Sequence, residues 1–119
     1  MTDTTAAALR ACAAGLYPDE AGTELLISHG GFLRRSDFTS FSDGITPMAQ
    51  INWDALHGAL TNGQLPLSGG ERRILDLASS IAAGFPVCLR STLPGLDNQN
   101  LQLVITAIRH ATGQRPPHR

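Results

Sequence analysis

Apolar residues in this chain recur three and four positions apart in segment after segment, and most such segments are closed by glycine. That spacing is the period of one helix face, and it constrains the fold more than any other feature. Leu9, Cys12, Ala13 and Leu16 fall at i, i+3, i+4 and i+7, which predicts a helix over 4–16. Pro18 suits the first position of a second helix, with Asp19 and Glu20 in the first turn, where the helix dipole favours negative charge. That helix should run to about His29 and stop at Gly30 and Gly31. Trp53, Leu56, His57 and Leu60 share a face of a third, with Asn52 as its cap and Asn62 and Gly63 at its end. Ile74, Leu77, Ala78 and Ile81 mark a fourth, closed by Gly84. Leu101, Val104, Ile105 and Ile108 mark a fifth, capped by Asp97 or Asn98 and ending before Gly113.

One stretch breaks the period. Phe38, Thr39, Ser40, Phe41 and Ser42 include several β-formers, and Asp43-Gly44 suits a type I′ turn, whose two central residues need positive φ. Ile45, Ala49 and Ile51 then alternate, while Pro47 cannot donate a ladder hydrogen bond and limits the strand to an edge or a short run. The expected class is therefore α+β and predominantly helical, about five helices with one small β-hairpin at about 38–51. Residues 85–89 are a short apolar segment that fits either a buried strand or one helical turn. Residues 1–113 read as a single compact domain and 114–119, with Pro116 and Pro117, as a flexible tail. A chain of 119 residues with 42% apolar residues has enough material for one core without disulfides or metals.

Charge narrows the chemistry. All nine basic residues are arginine, against ten acids, for a formal charge of −1. There is thus no lysine for a Schiff base or a P-loop, and nucleic acid is not an expected partner. No apolar run approaches the ~20 residues of a membrane span, and residues 1–5 lack the flank of a signal peptide, so no membrane partner and a cytoplasmic location are expected. Cys12 and Cys88 read as buried small apolar residues. His29, His57, His110 and His118 show no metal-ligand spacing, so no metal site and no cofactor are expected. No residue is assigned a catalytic role.

Leu67, Ser68, Gly69, Gly70, Glu71, Arg72 and Arg73 resemble the signature motif of ATP-binding cassette ATPases. Downstream, residues 86–89 resemble the apolar strand of that family, and Gly95, Leu96 and Asp97 its following turn. The resemblance covers residues 67–100. It implies a helix start that reads phosphate, with Ser68, Gly69, Gly70, Arg72 and Arg73 as anion-site candidates. The chain departs from the family in having no lysine cradle, and in placing Arg90 and Ser91 where a magnesium ligand and a catalytic acid belong. The same letters also spell a capping box, Ser-x-x-Glu ahead of an apolar-periodic run.

A wider pattern joins Phe32, Leu33, Arg35, Asp37 and Phe38 with Ile51, Asn52 and Trp53, the stretch 65–73, Gly95, Leu96, Asp97, Asn100, His110 and Ala111. This pattern resembles small proteins of high-GC Gram-positive bacteria that have no assigned function, and it implies a compact independent domain. The function expected from the residues themselves is a non-catalytic binding protein, self-associating or docking a protein partner through Phe32, Phe38, Phe41 and Trp53 around the hairpin. The alternative is an anion- or nucleotide-binding module at residues 68–73.

Overall fold

The computed structural model describes residues 2–32, 42–43, 50–63 and 66–114. Six α-helices are present among them: α1 (Thr2–Ala13), α2 (Tyr17–His29), α3 (Trp53–Thr61), α4 (Gly69–Ala83), α5 (Leu89–Thr92) and α6 (Asn98–Ala111). A 3-10 turn at Leu93–Gly95 follows α5. The predominantly helical class is as expected, and most helix boundaries follow the local signals; α1, however, ends at Ala13 and leaves Leu16, expected on its apolar face, outside it and exposed. Asn52 accepts from the Ala55 amide at the start of α3, and Asp97 from the Asn100 amide at the start of α6. Gly30 and Gly84 close α2 and α4 at φ 86° and 80°, the left-handed region that glycine alone adopts without a Cβ penalty.

Two expectations are corrected and one open alternative is decided. First, β1 (Ser42–Asp43) and β2 (Gln50–Ile51) make only a two-rung antiparallel contact, with Ser42 opposite Ile51 and Asp43 opposite Gln50. A type I′ turn at 43–44 would instead pair Ser42 with residue 45, so the tight Asp-Gly hairpin is not formed. No hairpin spanning 38–51 is seen among the described residues, and most of that stretch, with Phe38 and Phe41, lies outside them. Second, residues 85–88 are irregular and lead into the short α5, so this segment is not a buried strand; Leu89 is exposed. This turn is the helix beyond the expected five. Third, α6 is rotated relative to its expected face. Val104 and Ala107 are buried, whereas Leu101 and Ile108 remain 39% and 52% exposed.

The core is built on α2, which packs against α1, α4 and α6. It runs antiparallel to α4: Gly22 meets Ala78 and Ala82, while Gly31, past the end of α2, lies near Glu71. It also runs antiparallel to α6, with Glu20 near the start of α2 reaching His110 near the end of α6. Gly22 fixes how closely α2 and α4 approach. A Cβ there would stand 2.5 Å from Ala82 Cβ and 2.8 Å from the Ala78 carbonyl oxygen, so only a hydrogen fits. Around this crossing Leu9, Leu25, Leu26, Phe32, Leu56, Ile74 and Leu75 are fully buried. Burying an aliphatic or phenyl side chain contributes about 1.5–3 kcal/mol, which makes this group the main source of stability.

Candidate functional site

At the start of α4 both halves of the capping box are made. Ser68 Oγ accepts from the Glu71 amide at 3.2 Å, and the Ser68 amide donates to Glu71 Oε1 at 3.0 Å. The positive end of the helix dipole is thereby served by the chain's own carboxylate. Arg72 is exposed, its Nε 3.8 Å from Asp76 Oδ2 one turn on. Arg73 lies across two glycines. A Cβ on Gly69 would sit 2.9 Å from Arg73 Nη1, and one on Gly95 would collide with Arg73 Nε and Cζ. Gly70 faces Asn100, whose Nδ2 would lie 3.5 Å from a Cβ there. The fold thus brings the glycine-rich start of α4 against Gly95, with the Arg73 guanidinium lying over both.

Of the four aromatic residues expected at a docking surface, Phe38 and Phe41 lie outside the described residues. Phe32 has no exposed surface and belongs to the core, while Trp53 is half-buried against it. Phe32 therefore supports packing rather than docking. A separate ring contact stacks His57 on Phe85 at 4.1 Å and 7°, tying α3 to the loop after α4. Cys12 is half-buried and Cys88 exposed, so the expectation of buried thiols fails for Cys88. The Cys88 thiol is held below its ordinary value by the Ser91 hydroxyl and the neighbouring Ser91 and Arg90 amides.

A polar seam that sequence reasoning missed runs along α2. Glu20 and Glu24 stand one turn apart on the same face, and each is met by a nitrogen-bearing side chain from a different helix. Arg10 of α1 forms a two-pronged pair with Glu24, Nε to Oε1 at 2.7 Å and Nη2 to Oε2 at 2.9 Å. Ser28 Oγ donates to the same carboxylate at 3.1 Å. His110 Nε2 of α6 lies 2.8 Å from Glu20 Oε1, and the Gly15 amide donates to Glu20 Oε2 at 2.8 Å. Burial pushes the Glu24 carboxyl upward, but Arg10, helped by Ser28 and His110, outweighs it and holds the group below its ordinary value. The available signal was the i, i+4 spacing of two acids on a predicted helix, an arrangement that repels unless each finds a partner. Beside this seam, Glu24, Ser28, Thr106 and His110 line a cleft of about 20 Å³ between α2 and α6. That is room for one water-sized molecule, against the ~300 Å³ of small-molecule sites. Among the described residues no group of three or more His, Cys, Asp or Glu gathers as a metal site, and no helix is long and apolar enough to cross a membrane.

The remaining surface feature is on α6. Leu101, Ile105 and Ile108 fall at i, i+4 and i+7, so they form one stripe over two turns. Leu101 and Ile108 are exposed and Ile105 is half-buried, whereas Leu103, Ala107 and His110 face α2 across the cleft. The stripe borders the core on the side of α6 away from α2. No known family model, curated protein or solved structure matches the chain.

Proposed function

We propose that this chain is a non-catalytic interaction protein that self-associates in the cytoplasm. The observation that carries the reading is the stripe Leu101, Ile105 and Ile108, an apolar helix face on which Leu101 and Ile108 stay exposed and Ile105 is half-buried between them. Single exposed apolar residues are ordinary, but three aligned on one rigid helix form a surface that loses unfavourable hydration when covered. The surface differs from the one expected around residues 38–51, because Phe32 is spent on the core. Sedimentation velocity over a wide concentration range tests the reading. A dimer fraction that grows with concentration is expected, and a monomer at every concentration overturns it.

Arg73 favours a second reading, anion binding at residues 68–73, since its guanidinium lies beside the first turn of α4 and has no carboxylate partner among the described residues. The Glu71 carboxylate opposes it by occupying the same helix end. Phosphate titration, followed through the Gly69 and Gly70 amide resonances, separates the two. Saturable shifts at millimolar phosphate would favour the anion reading, and flat resonances retire it.

A further inference from the structure

Resting on the self-association reading, we infer that α6 pairs antiparallel with α6 of a second copy, seamed by Leu101, Ile105 and Ile108. The stripe is self-complementary: centred near Ile105, a two-fold axis brings Leu101 of one copy against Ile108 of the other, twice, as an isologous contact requires. Charge selects the direction. Asp97 marks the N-terminal end of α6, and Arg109 and His110 its C-terminal end. A parallel pair would set Arg109 near the second copy's Arg109, Asp97 near its Asp97, and the two helix dipoles side by side in the same sense. The antiparallel pair places ends of opposite sign together at both extremes of the seam and opposes the dipoles. His110 is turned toward Glu20 within its own chain, which leaves Arg109 as the exposed cation at that end. Three side chains make a seam well below the ~800 Å² per partner of a standard interface, so the pair is weak and concentration-dependent.

The test uses the full chain with Cys12→Ser and Cys88→Ser, into which Leu101→Cys or Ile108→Cys is introduced singly. Under mild oxidation, a mixture of the two variants should give the mixed 101–108 disulfide dimer, and Leu101→Cys alone should give little. Prominent 101–101 dimers would overturn the antiparallel direction. In parallel, Ile108→Asp, an exposed position checked for retained helicity by circular dichroism, should weaken dimerisation by about tenfold or more, the ~1.4 kcal/mol scale of one removed interface anchor. Dimerisation untouched by Ile108→Asp and by Leu101→Asp would leave self-association standing and overturn the α6 seam. A monomer throughout would overturn both.

Discussion

The imidazole of His110 and the carboxylate of Glu20, ninety residues apart in sequence, meet at 2.8 Å with each side chain only 13% exposed. This contact fastens the last turn of α6 to the first turn of α2. Removing His110 takes one contact from a carboxylate that keeps the Gly15 amide, and removing Glu20 leaves the imidazole in a site with little water, a penalty that exceeds the net worth of the pair. His110→Ala should cost about 1–3 kcal/mol in urea denaturation. Glu20→Ala in the same background should then cost much less than it does alone. A double-mutant cycle whose coupling is near zero would show that the two groups act independently.

Gly22 and Gly58 offer a matched pair of opposite sign. Both lie inside helices, but an added Cβ at 22 meets Ala82 Cβ at 2.5 Å while one at 58 meets nothing within 4 Å. Gly22→Ala should therefore destabilise by about 1–3 kcal/mol through forced separation of α2 from α4. Gly58→Ala should stabilise by about 0.5–1 kcal/mol through reduced freedom of the unfolded chain and better helix propensity. Thermal unfolding of the two variants checks both signs at once.

The capping box at the start of α4 carries its own prediction. Ser68→Ala leaves the Glu71 amide without its acceptor and should cost about 0.5–2 kcal/mol, whereas Ser68→Asp should largely keep the cap. A Ser68→Ala variant as stable as the parent would mean that water serves this helix end equally well.

Two carboxylates give opposite pH dependences. Glu24 binds its proton less readily in the folded chain than in the unfolded one, because its pairing with Arg10 outweighs burial. Its contribution is complete above its ordinary value of 4.5 and is lost as pH falls through the lower folded-state value. Asp76 is raised by burial, which outweighs the opposing pull of Arg72 and His57. Its charge therefore costs stability at neutral pH, and the cost is relieved as pH falls through the raised value toward 3.8. Urea titrations from pH 7 to pH 3 should show Glu24→Gln losing up to about 1 kcal/mol at pH 7 and nothing at the acid end, in keeping with a half-exposed ion pair. Asp76→Asn should gain stability at pH 7 and converge with the parent in acid.

What the sequence made legible was local. Ser68 with Glu71, Asn52, Asp97, Gly30 and Gly84 each act within one turn of their own position, and each stands where its letters put it. What stayed hidden was set by partners far along the chain. The period of Leu101, Val104, Ile105 and Ile108 defines an apolar side of α6, but the position of α2 decides which part of it is covered. Phe32 could equally have faced solvent until the core cluster enclosed it. His110 and Glu20 carry no sign of one another in spacing or type. Asp43-Gly44 looked like a tight turn because two residues suffice to propose one, while the pairing of Asp43 with Gln50 depends on a strand seven positions away. Arg73 lies over Gly69 and Gly95, and only the fold brings Gly95 beneath it.

The place of α2 has a consequence for the order in which the molecule can be made. Its two broad contacts are with α4 and α6, and both emerge from the ribosome long after α2 itself. At ~5–20 residues per second, several seconds separate the synthesis of Leu25 and Leu26 from that of the Val104 and Ala107 side of the core. During that interval α1 and α2 can form a hairpin, joined by Arg10 and Glu24, but the rest of the α2 surface has nothing to close on. A nascent chain stalled before α6 should therefore be cut readily by protease within α2, and a chain allowed to extend past Ala111 should resist.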